Sequence, residues 1–373
     1  MTKRFDSVLD LFRESSVVRI PPRSAAREGA SLWAQLELQL PGGMKDRVAL
    51  RMIEDAEARG ELRAGGVVVE SSSGTMAEGL ARVAAVKGYR VIIVSDPRLD
   101  EMTRAKLLAL GAELEIVETY DPVSGWQGSR LQRLREVIER LPGAFWARQY
   151  DSPSNPGAYA EVARALVDAL GTKIAALVGT VGSGGSLCGT ARFLRRLLPG
   201  LQVVAVDAVG SVLFNQPNRK RLQSGHGNSL VPGNVDYRAI DQVHWVSDGE
   251  AFAACRELAR RTGIYAGGSS GAAYLVASWV AGEYGGDRHV VAIFPDRGDR
   301  YHATVYSDAF LAEHGLLDVE PAAAPRRIRY GVDVAHDWSY ADLPHGGERD
   351  YHAREVPTTG QIAEELQLVA PQA

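Results

Sequence analysis

The sequence predicts an α/β fold in two lobes, each a mostly parallel sheet flanked by helices. Three observations carry this. Short apolar runs alternate with helix-period segments along most of the chain. The 373 residues suffice for two lobes and a large core. Several turns of small and hydroxyl-bearing residues follow the apolar runs, where a parallel sheet places its ligand sites.

Taken in order, residues 1–7 lead into an amphipathic stretch rather than the apolar core of a signal peptide. Val48–Ile53 reads as helical. Gly66–Glu70 is a strand, Met76–Val86 the helix after it, Arg90–Val94 a strand and Met102–Leu110 its helix. Ala112–Val117 and Ala144–Tyr150 read as strands around a helix at Leu131–Leu141. Ile174–Val178 is apolar enough for a buried strand, and Leu187, Ala191, Leu194 and Leu198 recur at helical spacing beyond it. Val203–Val206, helices near Ala251–Arg261 and Ala272–Ala281, and the strand Val290–Phe294 complete the body. From about Asp318 the chain turns polar behind the linker-like Pro321–Pro325. Scattered aromatics there (Trp338, Tyr340, Tyr351) could dock, but the composition favours a partly ordered extension.

Bulk properties narrow the class. Charged residues make up 24% and hydrophobic ones 45%, as in an ordinary globular protein. A net charge of −4 argues against nucleic-acid binding. No apolar run is long enough to span a bilayer, so a cytoplasmic protein without membrane partners is expected. Cys188 and Cys255 are too few for a disulfide framework, and the tail histidines His336, His345 and His352 have no zinc spacing, so no metal is expected.

The chemistry lies in the turns. Gly182-Ser183-Gly184-Gly185-Ser186 sits between a strand and a helix, and free N–H groups at a helix start bind phosphate. Leu187 and Cys188 follow where a nucleoside-triphosphate loop needs lysine. The third glycine of a dinucleotide fingerprint is also missing. A monophosphate remains, as substrate or cofactor. Lys45 follows the flexible Pro41-Gly42-Gly43 turn at a helix head. The helix field there favours a neutral amine, which suits Schiff-base chemistry. Glu70-Ser71-Ser72-Ser73-Gly74-Thr75 could hold a carboxylate or could simply cap a helix. Gly267–Ala272 is another small-residue turn, and Pro295–Tyr301 follows the last strand.

These five segments, in this order and at these distances, resemble the cysteine synthase/cystathionine β-synthase family of pyridoxal-phosphate enzymes, fold type II, from about Ser7 to His314. The resemblance implies pyridoxal 5′-phosphate bound by Lys45, with Gly182, Ser183, Gly184, Gly185 and Ser186 as the cup for its phosphate. It places Ser72, Ser73 and Gly74 on the substrate α-carboxylate together with Gln149. Where the family has asparagine beside the cofactor oxygen, this chain has Thr75. The hydroxyl that usually faces the pyridine nitrogen is missing, which leaves Asp296, Arg297 or Ser270 for that position.

The activity so implied is β-replacement on an O-activated L-serine, O-phospho or O-acetyl, through an aminoacrylate, by a transferase of amino-acid biosynthesis. Arg130 and Tyr150 are candidates for a phosphate leaving group, with a solvated helix position as the plainer reading of Arg130. A sulfur nucleophile, sulfide or thiosulfate, is favoured. The alternatives are an amine such as L-glutamate, giving a 2,3-diaminopropionate precursor, and a non-catalytic binder of a phosphorylated metabolite. A homodimer is also implied. So are a smaller mobile lobe at 42–150, a larger lobe at 1–41 and 151–317, and a C-terminal extension at 318–373.

Overall fold

The computed structural model describes residues 3–23, 30–121 and 125–344. Within them are two compact units: 3–14 with 40–158, and 15–39 with 159–344.

The chain opens on a 3-10 turn, Val8–Arg13, where Ser7 and Asp10 form a capping box. Strands β1 (Val17–Ile20) and β2 (Ala30–Leu36) then pair antiparallel in the second unit. The first unit follows as α1 (Lys45–Ala58), β3 (Val67–Ser71), α2 (Thr75–Lys87), β4 (Arg90–Ser95), α3 (Glu101–Ala109), β5 (Glu113–Ile116), α4 (Gly125–Arg140), β6 (Phe145–Trp146) and the single turn α5 (Ser154–Gly157). Its four strands run parallel in the order β5-β4-β3-β6. Val69, Ile92 and Val94 meet Leu131, Leu134 and Val137 of α4 in one buried cluster.

The second unit continues with α6 (Ala160–Leu170), β7 (Ile174–Thr180), α7 (Gly185–Leu197), β8 (Gln202–Ala208), β9 (Gln242–Val246), α8 (Asp248–Thr262), α9 (Gly268–Gly282), β10 (Arg288–Phe294), α10 (Asp308–Glu313), β11 (Arg326–Arg327) and β12 (Ser339–Asp342). Its sheet order is β1-β2-β10-β7-β8-β9-β12-β11. The pairs β1–β2 and β9–β12 are antiparallel and the others parallel, so both sheets are mostly parallel as expected. Every residue of β7 is buried, as a strand covered on both faces requires. Helix α9 is apolar nearly all round and is buried accordingly.

One expectation is corrected. The strand read at Ala144–Tyr150 is only Phe145–Trp146, because Arg148 takes φ +54°, a left-handed conformation that no strand continues through. Within the extension, 326–343 is tied to the second sheet. There β12 pairs with β9, and the Trp338 indole is buried, donating from Nε1 to His244 Nδ1 at 3.1 Å. Burial pushes His244 down to about 3, so its ring is neutral and free to accept. Tyr351, His345 and His352 lie outside the described residues. Among the described residues no helix is long and apolar enough to cross a membrane, and no acidic, histidine or cysteine cluster could hold a metal ion.

Candidate functional site

In the first unit Lys45 is the first residue of α1, and no side chain caps that helix start. Burial pushes its ammonium down to about 8. Asp46, fully buried, accepts the Gly42 backbone N–H at 2.6 Å and Arg82 Nη1 at 3.1 Å. Burial pushes its carboxyl up to about 6 despite both partners. Arg82 also bonds Glu78 at 2.9 Å, so α2 braces the turn that presents Lys45. Close packing of the two helices needs Gly79, since a Cβ there would stand 2.9 Å from the Lys45 carbonyl oxygen.

The hydroxyl-rich turn joins β3 to α2. Gly74 is the N-cap residue and contributes no side chain, so the serines do not cap the helix in the ordinary way. Ser72 Oγ instead accepts the Gly74 N–H at 3.3 Å, folding the turn on itself. Ser73, Gly74 and Thr75 are partly exposed, and Ser72 is buried. This leaves a helix N-terminus with small residues around it, suited to an anion.

Gln149 reaches the same turn. Its Nε2 donates to the Ser71 carbonyl at 3.5 Å, and its own carbonyl accepts from Asn155 Nδ2 at 2.6 Å. The left-handed Arg148 sets this bend. Behind both lies Glu70, buried, whose carboxyl burial pushes up to about 7.

Arg130 is not solvated. It is 6% exposed on α4 and lies 3.3 Å from Asp96 beyond β4, with Tyr150 electrostatically coupled to it. Its Nε is buried without a hydrogen-bond partner among the described residues. Burial opposes ionisation of Asp96, yet Arg98 and Arg130 together hold its carboxyl below the usual range.

The second unit carries the glycine loop between β7 and α7. Gly184 takes φ +82° as the N-cap of α7, and a Cβ there would meet the Asn234 carbonyl oxygen at 2.7 Å. Only glycine fits both constraints. A Cβ on Gly182 would stand 3.1 Å from the Gly225 carbonyl oxygen, and Gly227 N–H donates to Val181 at 2.8 Å. Ser183, Gly185 and Ser186 are buried at the helix start. The loop is thus a rigid backbone cradle at the N-terminus of a 13-residue helix.

Also in this unit, Asp296 accepts from the Tyr301 hydroxyl at 2.6 Å, and its carbonyl takes the Gly267 N–H at 3.0 Å. Ser270 is fully buried, with its Oγ unpartnered among the described residues. The Arg297 side chain is 59% exposed and lies 3.6 Å from Asp299. Glu70, Asn155, Asp96 and the Asp46–Arg82–Glu78 chain were not singled out from sequence. Asp46 and Glu70 sit beside motif residues, but only burial and bonding reveal what they do.

The sequence pattern of the family described as "Pyridoxal-phosphate dependent enzyme" matches residues 8–296. An N-(2-amino-2-carboxyethyl)-L-glutamate synthase of Ralstonia nicotianae is 38% identical over 312 residues, 82% of this chain and 91% of that protein. The solved O-ureido-L-serine synthase superposes with a TM-score of 0.75 at 31% identity, covering 83% of this chain and all of that one. An O-acetyl serine sulfhydrylase isoform of Entamoeba histolytica superposes at 0.76 with 26% identity, over 85% of this chain and 97% of its own.

Proposed function

This chain belongs to the pyridoxal-phosphate dependent enzymes of the cysteine synthase type, and from that premise we propose that it replaces the β-substituent of O-phospho-L-serine with a sulfur nucleophile, sulfide or thiosulfate. The observation that carries the donor is Arg130, a buried guanidinium with an unpartnered donor in the unit that also holds Lys45 and the Ser72–Gly74 turn. A guanidinium fork matches a phosphate and has far less to offer an acetyl group.

The residues fit the cofactor. An amine of lowered pKa, a glycine cradle that a Cβ at 184 would fill, and the buried Ser270 hydroxyl match its carbonyl, its phosphate and its ring nitrogen in kind. Bound pyridoxal phosphate supplies an electron sink for the pair released at the substrate Cα. Lys45 Nζ then holds or returns the Cα proton, since an amine near 8 exchanges it readily at neutral pH. Gly182 to Ser186 anchor the phosphate through backbone N–H groups. Ser72, Ser73, Gly74 and the Gln149 amide hold the α-carboxylate and fix which substrate bond faces the base. Thr75 would stand beside the cofactor oxygen with one hydroxyl proton to donate. Ser270 or Asp296 would face the ring nitrogen. Arg130, with Tyr150 beside it, takes the departing phosphate.

The sulfur acceptor is supported by the sulfhydrylase among the solved relatives. A second reading, an amine such as L-glutamate, is favoured by the 38% identical glutamate-derivative synthase. The test is an acceptor screen of the loaded enzyme with O-phospho-L-serine against sulfide, thiosulfate and L-glutamate, with products read by mass. A single product from a sulfur acceptor supports the first reading, and one from glutamate replaces it with the second. We further assign a homodimer acting in the cytoplasm, as the biosynthetic role of the family suggests, with light scattering as the check on oligomeric state.

A further inference from the structure

Glu70 lies near the end of β3, 2% exposed, and three N–H groups converge on it. Ser71 N–H donates to Oε1 at 2.7 Å, Trp146 Nε1 to the same oxygen at 3.3 Å, and Gln149 N–H to Oε2 at 3.1 Å. The first donor opens the hydroxyl-rich turn, and the other two belong to β6 and the bend after it. One carboxylate therefore ties together two segments that are 79 positions apart in sequence. All three facing groups are donors, so only an acceptor on both oxygens satisfies them.

We propose that Glu70 is a positioning residue that fixes the spacing between the Ser72–Gly74 turn and Gln149, and through it the affinity for the α-carboxylate of the amino-acid substrate. The proposal rests on the assignment of that turn and Gln149 to the carboxylate. Gln149 is held by this anchor through its backbone, whose N–H donates to Glu70 at 3.1 Å and whose carbonyl accepts from Asn155 at 2.6 Å. A neutral glutamine at position 70 would turn an amide donor toward one of the N–H groups and open the bend.

The charged group acting on Glu70 is Arg130 from α4, which is itself paired with Asp96 beyond β4 and feels Arg98 and Tyr150. Arg130 favours the ionised form, but burial outweighs it and pushes the carboxyl up to about 7. Below that pH Glu70 takes a proton and carries an O–H where an acceptor is needed. Substrate affinity should therefore fall on the acid side of neutrality.

The test uses the enzyme loaded with pyridoxal phosphate, titrated with L-serine on both sides of neutral pH and followed by the visible absorbance of the cofactor. Glu70→Gln should weaken L-serine by about tenfold, keep the absorbance of the resting enzyme, and lose the step near pH 7. Glu70→Asp should recover part of the affinity. Adding Gln149→Ala to Glu70→Gln should cost little more, because both act through one clamp. Wild-type affinity with an unchanged step, or fully additive losses, would overturn the proposal. If Glu70→Gln fails to take up cofactor, Trp146→Phe removes one donor and should move the step to higher pH; an unmoved step overturns the proposal equally. L-serine binding needs neither leaving group nor acceptor. A wild-type enzyme that binds L-serine but does not consume O-phospho-L-serine therefore contradicts the proposed function and leaves Glu70 standing.

Discussion

Gly42 donates its backbone N–H to the Asp46 carboxylate at 2.6 Å, closing the turn that presents Lys45. The other carboxylate oxygen accepts from Arg82, itself bonded to Glu78, so a buried ion chain runs from the Lys45 turn into α2. Asp46→Ala would leave the Gly42 N–H without its acceptor and Arg82 with Glu78 alone. Breaking one side of a buried pair costs about 3–5 kcal/mol, and urea unfolding of the apo-protein should show that loss. Asp46→Asn, which keeps one acceptor, should lose less.

The lowered Lys45 pKa has a pH signature. Only the neutral amine attacks an aldehyde, and with a value of about 8 the group is mostly protonated below that pH and mostly neutral above it. The rate at which apo-protein takes up pyridoxal phosphate should rise with pH through about 8 and then level. Stopped-flow absorbance reads this directly. Lys45→Ala should show no such phase at any pH.

At Gly184 the backbone and its neighbours both demand glycine. Gly184→Ala forces an L side chain to φ +82° and puts Cβ 2.7 Å from the Asn234 oxygen. The backbone strain alone is worth about 1–2 kcal/mol, and displacement of the cradle should weaken cofactor binding in equilibrium dialysis. Gly285→Ala, where a Cβ meets nothing within 4 Å, is the control and should bind as wild type.

The strand added after residue 326 makes a stability prediction. Trp338 is buried against His244, and its backbone N–H bonds Glu250 at 3.0 Å. Trp338→Ala opens a cavity and leaves His244 Nδ1 without its donor, for a loss of about 3–5 kcal/mol. Thermal unfolding should register it, and an unchanged midpoint would mean that β12 adds nothing to the sheet.

The alternation of apolar runs made most of the two sheets legible, because β3, β4, β7, β8 and β10 are nearly continuous apolar segments. Strands with mixed composition escaped. Gln242–Val246 carries Gln242 and His244, whose polarity is satisfied only by each other and by the tail. The tail itself looked polar because Ser339 and Asp342 pair through backbone and side chain with β9 rather than through apolar bulk. At the site, the turns themselves were readable from small residues at helix starts. What supports them was not. A buried Glu70 and a surface glutamate look alike in sequence, and so do an Arg130 that α4 lays against Asp96 and one in solvent.

The most direct test of the proposed reaction is phosphate release from O-phospho-L-serine by the loaded enzyme with its acceptor, compared between wild type and Arg130→Met. Release should match product in the wild type. Arg130→Met should lose about a hundredfold in kcat/KM for this donor, with O-acetyl-L-serine turnover far less affected. A wild-type enzyme that binds pyridoxal phosphate yet releases no phosphate would contradict the proposed reaction, as would an Arg130→Met variant that loses both donors equally.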